Sequence, residues 1–562
     1  MAKLAIKSDN QQQLMLLPPS YEELVPLTHP VRVINSVIDR IDLKRIFSSY
    51  KGGGNSCFNP ASMLKILIFA YLNNIHSCRK IEQQLKENVL YMWLSGCIRP
   101  DFRTLNYFRS KRLKDSFSDI FTQVVELLHE EGFVSLDVQY IDGTKIESMA
   151  NKYTFVWRKS VEKNDEKLKE KTRIVLKQIE AQINFDENET ESTDPLCVED
   201  FQERLDKINK QIEKENTPKK IRKQIEKIQH ENIAKMQTYK DQLAKMEGRN
   251  SYSKTDPEAT FMRMKEDAML NGQLKPGYNI QIATENQFIT NFAVFQRPTD
   301  TMTLIPFLDS FKKRYNRQSK IAIADSGYGS EQNYEYMMDL EIIPYIKYNY
   351  FHKEQKRNHK NNPFLSANFY YNEKENYYIC PMGQHMNFVR NEKRVSDAGF
   401  TSTVSIYKAQ RCEGCFLRSI CHKAKGNRVI EINHKLNKYR EYVRDLLNTQ
   451  EGYYHRSKRP VEPEAVSGQI KQNGMFRRFR LKGLKGAEIE FGLKALAHNM
   501  LKLAAKGGFL SFLKAFCVTV LFLNRYNSSL LGHLDKRGTI EDENEQLFDI
   551  CVKKRGYLTF YC

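Results

Sequence analysis

Near its beginning, the sequence has the hydrophobic spacing of short helices. Residues 63–72 form an almost continuous apolar stretch that follows Pro60, and proline is favoured in the first turn of a helix. Downstream, Ile81, Leu85 and Leu90 recur at the spacing of one helix face. The pattern therefore predicts a helical unit between residues 59 and 112.

The last predicted helix of this unit, residues 101–112, carries basic side chains between its apolar positions. They are Arg103, Arg109, Lys111 and Arg112. Short helices that end in a basic helix are typical of a helix-turn-helix, which places that helix in the major groove of DNA. An ordinary helical subdomain with a solvated basic face explains the pattern equally well.

Further along, strand-like segments alternate with helical ones. Strands are predicted at residues 134–141, 277–284, 288–295, 320–324 and 342–347. Helices are predicted at residues 301–315 and 488–503. This alternation indicates an α/β core.

Residues 158–250 interrupt that core with a segment of different character. Isoleucines and a leucine recur at spacings of three and four residues on both sides of Pro218, which predicts a helical hairpin or a short coiled coil. The segment has 21 basic and 20 acidic residues. Because it is almost neutral, we do not expect it to be the main phosphate-binding surface.

Composition adds a partner to this picture. The chain has 562 residues, enough for about three or four domains. Its net charge of +20 favours a polyanion, either nucleic acid or an anionic membrane surface. The most apolar runs, residues 63–72 and 509–523, are shorter than the roughly 20 residues of a membrane-spanning helix. Nucleic acid is therefore the expected partner.

Two aspartates, Asp142 and Asp325, directly follow predicted strands. Carboxylates at the carboxyl ends of neighbouring strands open into the usual ligand crevice of an α/β sheet and could bind Mg²⁺ or Mn²⁺. Either one alone is more often a plain strand-ending turn.

A third candidate lies in a basic segment. Glu464 and Lys471 are two helical turns apart, so both project from one helix face. They would complete a metal site and meet a phosphate, or else form an ordinary helix start with a solvated lysine. Residues 456–485 contain nine Lys or Arg, among them Arg459, Arg477, Arg478 and Arg480. The interleaved Phe476 and Phe479 favour contact with phosphates and stacking on exposed bases.

Eleven cysteines are an odd number, and seven of them are scattered singly, which favours reduced thiols in a cytoplasm over a disulfide framework. The other four are Cys380, Cys412, Cys415 and Cys421. They could form a structural Zn²⁺ site, with His422 as an alternative ligand, or simply be reduced thiols in a small loop-rich module.

These segments together resemble the DDE transposases of bacterial insertion sequences, in the group with a Cys-rich segment. The matching pieces appear in order from about residue 20 to 505. They read FNPASMLKILIFAYLNNIHSCRKIEQQL, YIDGTKIESMANKYTFVWRK, KTDPEATFMRMK, GYNIQIA, IADSGYGS, EPEAVSGQIKQN, FRRFRLKGL and EIEFGLKALAHNMLKL.

The resemblance implies an RNase H-like core in which Asp142, Asp325 and Glu464 hold two Mg²⁺ or Mn²⁺ ions, with Lys471 beside them. The family motif has an arginine four residues before its glutamate; here that position is Pro460, and Arg459 is one residue removed. Glu462 also lies close enough in sequence to be taken for the third acid. The implied reaction is cleavage of double-stranded DNA at the terminal inverted repeats of the element, followed by strand transfer into target DNA. A homodimer or larger synaptic assembly is expected.

The predicted organisation combines the core with three further parts. These are an all-α DNA-binding domain, a helical insert and a Cys-rich module. The predicted ranges are an arm (1–50), the helical domain (51–130), the core (131–157, 251–350 and 431–505), the insert (158–250), the Cys-rich module (351–430) and a tail (506–562). The expected location is the bacterial cytoplasm, in association with the nucleoid. A catalytically disabled relative that only binds DNA, and a general nuclease with the same fold, are the alternative functions.

Overall fold

The computed structural model describes residues 19–50, 56–182, 197–212, 218–264, 272–396 and 399–507. The α-helices are α1 (Tyr21–Leu24), α2 (Pro30–Arg40), α3 (Lys44–Phe47), α4 (Pro60–Leu72), α5 (Cys78–Glu87), α6 (Val89–Ser95), α7 (Phe102–Tyr107), α8 (Phe117–Glu130), α9 (Arg158–Gln182), α10 (Val198–Ile212), α11 (Lys219–Lys227), α12 (Ile233–Met246), α13 (Leu304–Tyr315), α14 (Glu331–Asp339), α15 (Phe351–Glu354), α16 (Arg357–Lys360), α17 (Arg418–Cys421), α18 (His434–Leu447), α19 (Gln450–Lys458), α20 (Ala465–Gly468) and α21 (Gly483–Ala505). Short π-helical turns cover Phe108–Arg112, Ile228–Asn232, Pro460–Glu464 and Gln469–Asn473.

The strands are β1 (Val138–Glu147), β2 (Phe155–Trp157), β3 (Ser251–Ser253), β4 (Thr260–Arg263), β5 (Leu274–Glu285), β6 (Phe288–Phe295), β7 (Ile321–Ala324), β8 (Ile343–Ile346), β9 (Tyr370–Asn372), β10 (Tyr377–Ile379), β11 (His385–Val395), β12 (Thr401–Ala409) and β13 (Val429–Ile432). The mixed α/β fold agrees with the prediction.

A mixed sheet forms the centre of this fold. Its main order is β4-β5-β1-β7-β8, and β6 pairs with the part of β5 beyond β4. β1 runs parallel to β7, and β7 runs parallel to β8, whereas β5 is antiparallel to β1. Three parallel strands therefore end at the same edge of the sheet.

One strand differs from its prediction in a way that affects the site. The Asp-Gly pair suggested that the strand would end at residue 141, but β1 continues to Glu147. Gly143 stays inside the strand, where a Cβ atom would lie 2.5 Å from Oδ1 of Asp300 and 2.6 Å from Nε2 of Gln281. This glycine permits close packing of side chains rather than a turn.

The insert is a helical bundle with its own apolar core. α9, α10, α11 and α12 contribute buried side chains such as Leu176, Phe201, Ile225 and Met236. The short antiparallel pair β2–β3 joins the two ends of the insert to the rest of the chain. The predicted helical character is confirmed, and the helices form a multi-helix bundle rather than a simple hairpin.

The Cys-rich segment contains a sheet that the hydrophobic pattern did not predict. Its five strands follow the order β13-β12-β11-β10-β9, and all neighbours are antiparallel. Met386, Tyr407, Ile430 and other buried side chains form its small core. β9, β10 and β13 are short, and the longer β11 has almost no buried position, so the segment lacks the strong alternation on which strand prediction depends.

The structure describes helices in the predicted N-terminal arm and only the first two residues of the predicted tail. α1, α2 and α3 lie in the segment predicted as an N-terminal arm. The predicted tail lies outside the described residues, apart from residues 506 and 507. Across the described ranges, no helix is both long and apolar enough to cross a membrane.

Candidate active site

Strand register brings the two predicted aspartates to the same edge of the sheet. In the parallel pair β1–β7, Val138 lies opposite Ile321 and Tyr140 opposite Ile323. Continuing this register by two residues sets Asp142 opposite Asp325. β7 ends at Ala324 while β1 continues, so Asp142 lies where its parallel neighbour stops. The sequence prediction that these carboxylates are neighbours agrees with this register.

The third acid reaches the same point through an unusual helical turn. Pro460–Glu464 forms a π-helical turn directly after α19. A π-helix bonds residue i to residue i+5, so Arg459 and Glu464 lie on the same face although they are five residues apart. Nη1 of Arg459 is 3.4 Å from Oε1 of Glu464. The wider turn thus compensates for the one-residue offset of Arg459 from the family motif.

Arg459 contacts all three candidate acids. Its Nη2 is 3.4 Å from Oδ1 of Asp142, and its Nη1 is 3.5 Å from Oδ1 of Asp325. Asp142 is 12% exposed, whereas Asp325 and Glu464 are 54% and 49% exposed. The three carboxylates thus converge on one guanidinium, at a site that is open to solvent on the side of Asp325 and Glu464.

Neighbouring contacts hold this arginine and glutamate in position. The buried Glu462 accepts a hydrogen bond from the backbone N–H of Gln287 (2.8 Å), and burial raises the pKa of Glu462. On α19, Nδ1 of His455 is hydrogen-bonded to the hydroxyl of Tyr140 in β1 (2.9 Å). Glu462 is therefore bound to the β5–β6 turn, and Glu464 is the glutamate that meets the aspartates.

The donor types suit a hard divalent cation, because Mg²⁺ and Mn²⁺ prefer carboxylate oxygens. Within the described ranges, however, no group of three or more His, Cys, Asp or Glu side chains has an arrangement that could hold a metal ion. The guanidinium of Arg459 lies between the three carboxylates and supplies the compensating positive charge. A metal ion would have to replace that contact at some of the same oxygens.

Sequence reasoning missed one lysine at this edge. Lys347 directly follows β8, and the β7–β8 register pairs Ala324 with Ile346, so Lys347 continues the row beside Asp325. Its ammonium interacts electrostatically with Asp325 and Glu464. The sequence did predict a strand that ends at Lys347. Only the order of the strands in the sheet shows that this strand end lies beside the aspartates.

Lys471, the lysine of the third motif, is only 5% exposed and lies in the π-helical turn Gln469–Asn473. Its backbone carbonyl accepts a hydrogen bond from Nε of Arg477 (3.3 Å). The alternative of a solvated lysine is therefore excluded, while the contact of Lys471 with a phosphate stays a prediction.

The basic segment after Lys471 runs in an extended conformation beside the end of β1. The backbone N–H of Phe479 donates to the carbonyl of Glu147 (2.9 Å), and Phe476 and Phe479 are buried. The prediction that these rings stack on bases is wrong, because both rings are buried in the protein. Arg477, Arg478 and Arg480 are exposed. The guanidinium of Arg478 also donates to the carbonyls of residues 148–150.

In the N-terminal helices, the predicted DNA contacts divide into two groups. Arg103 and Lys111 are exposed. Arg109 is 4% exposed, and its guanidinium donates to the hydroxyl of Tyr71 (3.1 Å) and the carbonyl of His76 (2.9 Å). It also lies 3.5 Å from Oε1 of Glu490 on α21. Arg109 is thus a buried packing residue, and its predicted contact with DNA is wrong.

The four predicted zinc ligands, together with His422, line a single pocket. Nη1 of Arg428 lies 2.8 Å from Sγ of Cys421, and Cys380 and Cys412 pack against the apolar core of the β9–β13 sheet. Like the other His, Cys, Asp and Glu side chains of the described ranges, these cysteines do not form a group of three or more that could hold a metal ion. The zinc prediction therefore gains no support. The guanidinium of Arg428 already contacts the thiol of Cys421, and Cys380 and Cys412 are packed against the apolar core.

Asp256 in the TDPEA motif is buried and accepts hydrogen bonds from the hydroxyl of Tyr278 (3.0 Å) and the backbone N–H of Gly483 (3.1 Å). Glu258 accepts a hydrogen bond from the backbone N–H of Leu484 (2.6 Å). Both carboxylates thus satisfy N–H groups at the start of α21. The motif has a structural role at this helix end.

Two family models match the chain. A transposase DDE domain matches residues 379–504, and a transposase domain described as DUF772 matches residues 19–111. Both descriptions are those of transposase domains, so the resemblance to DDE-type transposases of insertion sequences is confirmed. The first match includes Glu464 and Lys471, while Asp142 and Asp325 lie outside both matches. No curated protein and no solved structure matches the chain significantly.

Proposed function

We propose that the protein is a transposase that binds the ends of an insertion sequence and catalyses metal-dependent DNA strand cleavage and strand transfer. The observation that carries this proposal is the convergence of Asp142, Asp325 and Glu464 on one guanidinium, with contacts of 3.4–3.5 Å. The two transposase family matches support it independently.

The catalytic assignment follows from the position of the carboxylates. Asp142, Asp325 and Glu464 would hold two divalent ions, which in such sites activate an attacking oxygen and stabilise the leaving one. The aspartates are fixed by strand register, and Glu464 is fixed by the anchored turn that contains Glu462. Arg459 balances the three negative charges. We infer an RNase H-like core, which the parallel arrangement of β1, β7 and β8 supports.

DNA binding is assigned to exposed basic residues on two segments. Arg103 and Lys111 belong to the N-terminal helical domain, and Arg477, Arg478 and Arg480 follow the third motif. Lysine and arginine contacts with phosphates release counterions and dominate affinity for DNA. Because transposition joins two DNA ends, we further propose that the active form is a dimer or a larger assembly.

The test is cleavage of labelled DNA that carries the terminal repeats of the element, with Mg²⁺ or Mn²⁺. Wild type is compared with Asp142→Asn, Asp325→Asn and Glu464→Gln, and each should lose about 10³-fold or more in rate because metal-assisted charge stabilisation supplies several kcal/mol. DNA of the same length without the repeats is the substrate control.

Three results would contradict parts of this proposal. Tight end binding without cleavage by wild type would indicate a disabled relative that only binds DNA. Equal cleavage of both DNAs would indicate a general nuclease. Full activity of Glu464→Gln, combined with metal-dependent cutting by wild type, would remove Glu464 from the catalytic set.

A further inference from the structure

Lys347 stands in a row with the two catalytic aspartates. Because β1, β7 and β8 are parallel and adjacent in that order, their carboxyl ends form one edge. The registers align Asp142 with Asp325 and Asp325 with Lys347. Neighbouring strands lie about 4.8 Å apart, so a side chain two strands away remains within reach of a ligand bound between them.

The backbone at Lys347 is tightly supported. Gly329 closes the loop that follows Asp325, and a Cβ atom at this glycine would lie 2.6 Å from the carbonyl oxygen of Lys347. A residue larger than glycine would therefore push the two strand ends apart. This close packing fixes where the lysine side chain begins.

The ammonium of Lys347 lacks a partner of its own. It makes no hydrogen bond or ion pair with any residue that the structure describes, although the side chain is half-buried. Burial, together with the positive charge of Arg459, lowers the pKa of Lys347. Asp325 and Glu464 are the negative groups that act on it, and Arg456 is a further positive one. An ammonium without a protein acceptor bonds to water, or to an anion that enters the site and displaces that water.

The carboxylates beside it already share Arg459, so the ammonium of Lys347 stays available to an anion that enters the site. The substrate of the proposed reaction carries such an anion at every nucleotide. We propose that Lys347 binds a non-bridging oxygen of a DNA phosphate next to the cleaved bond. This inference rests on the proposed function, since it names how the same site holds its substrate. Lys347 would act as a point charge with three N–H donors.

The first experiment compares Lys347→Met and Lys347→Arg with wild type on end-bearing DNA. We expect Lys347→Met to slow cleavage about 10- to 100-fold, because a hydrogen bond to a charged group contributes roughly 1.5–3 kcal/mol. Lys347→Arg keeps the charge and should retain most of the activity. Lys320→Met is the matched control: Lys320 precedes β7 at the opposite end of the strand and pairs with the exposed Asp137 (3.0 Å).

A second readout separates phosphate binding from a merely structural role. Single phosphates around the cut are replaced one at a time by neutral methylphosphonates. At one position, the neutral replacement should strongly slow cleavage by wild type. The same replacement should not slow cleavage by Lys347→Met any further, because that variant has already lost the contact. The logarithm of the binding constant for end DNA falls with the logarithm of the salt concentration, and this slope should be smaller in Lys347→Met by the amount expected for about one phosphate contact.

These measurements have outcomes that overturn the inference. Identical methylphosphonate profiles for wild type and Lys347→Met would exclude a phosphate contact. A variant that only needs a different Mg²⁺ concentration to reach the wild-type rate would show that Lys347 acts on the carboxylates instead. If wild type binds the ends but does not cut, the proposed function fails, while the salt dependence still tests Lys347.

Discussion

Two arginines with similar burial have opposite surroundings. Arg459 is 8% exposed and Arg109 is 4% exposed, and both were predicted to contact DNA. Arg459 contacts three carboxylates, two of which are about half exposed. Arg109 contacts Glu490, which is fully buried. The cluster around Arg459 can exchange its cation with a ligand from solvent, whereas the cluster around Arg109 can only stabilise the fold.

In the buried cluster, hydrogen bonds satisfy the carboxylate of Glu490, while Nε of Arg109 has no hydrogen-bond partner among the described residues. Glu490 accepts from the hydroxyl of Tyr71 (2.8 Å) and from the backbone N–H groups of Arg480 (2.6 Å) and Leu481 (2.8 Å). These contacts join α4, the basic segment and α21. Buried charges that are paired and hydrogen-bonded in this way are costly to disrupt.

The largest expected effect is the loss of Glu490. Glu490→Ala leaves Arg109 buried without its carboxylate and should lower the free energy of unfolding by about 3–5 kcal/mol. Urea denaturation followed by circular dichroism measures this change. The control is Glu488→Ala on the same helix, which removes an exposed pair with Lys485 and should cost at most about 1 kcal/mol. Equal losses for both variants would contradict the distinction between buried and open clusters.

The next effect is a pH dependence that arises in the buried cluster. Lys494 on α21 donates to the carbonyl of Tyr71 (3.0 Å), and burial lowers the pKa of Lys494 from 10.5 to about 8. Between these two values the unfolded chain binds one more proton than the folded chain, so stability rises with pH. We expect a gain of about 2 kcal/mol from pH 8 to 9.5, since one pKa unit corresponds to about 1.4 kcal/mol.

Lys494→Met provides the comparison for that measurement. Methionine has no titrating group, so the difference in unfolding free energy between wild type and variant should change over this pH interval. A constant difference from pH 8 to 9.5 would show that Lys494 keeps an ordinary pKa in the folded protein.

A smaller effect separates the two glutamates of the third motif. Glu462→Gln weakens a charged hydrogen bond to the backbone of Gln287 and should cost about 1–3 kcal/mol of stability. Glu464→Gln affects a half-exposed carboxylate and should change stability by less than about 1 kcal/mol while it removes cleavage. Thermal unfolding and the cleavage assay together distinguish them. If Glu462→Gln removed cleavage and Glu464→Gln instead lowered stability, the roles of the two glutamates would be exchanged.

The smallest expected effect is also the most specific to the open cluster. Arg459→Met removes the cation between the carboxylates, two of which remain about half exposed to water. Mg²⁺ should then raise the unfolding temperature of Arg459→Met more than that of wild type, because the ion no longer competes with the guanidinium for the same oxygens. Arg109→Met should show no such gain with Mg²⁺.

Periodicity and motif chemistry predicted much of the fold. The helical unit, the α/β core and the helical insert follow from spacing, because an amphipathic face must be buried whatever it packs against. The β9–β13 sheet was missed, since its strands are either very short or, as in β11, exposed along almost their whole length. The end of β1 was predicted too early, because Asp-Gly usually signals a turn, whereas here Gly143 makes room for Asp300.

The sequence by itself singled out the candidate residues for the chemistry. Asp142 and Asp325 stand out by their place after apolar strands, and Glu464 by its spacing to Lys471 in a basic segment. Tertiary structure alone decided which groups share the site. A π-helical turn brings Arg459 beside Glu464, parallel register adds Lys347, and burial removes Arg109 from the surface. The reason is physical: residue type and local periodicity are properties of short segments, whereas contacts between charges depend on strand order and packing across hundreds of residues.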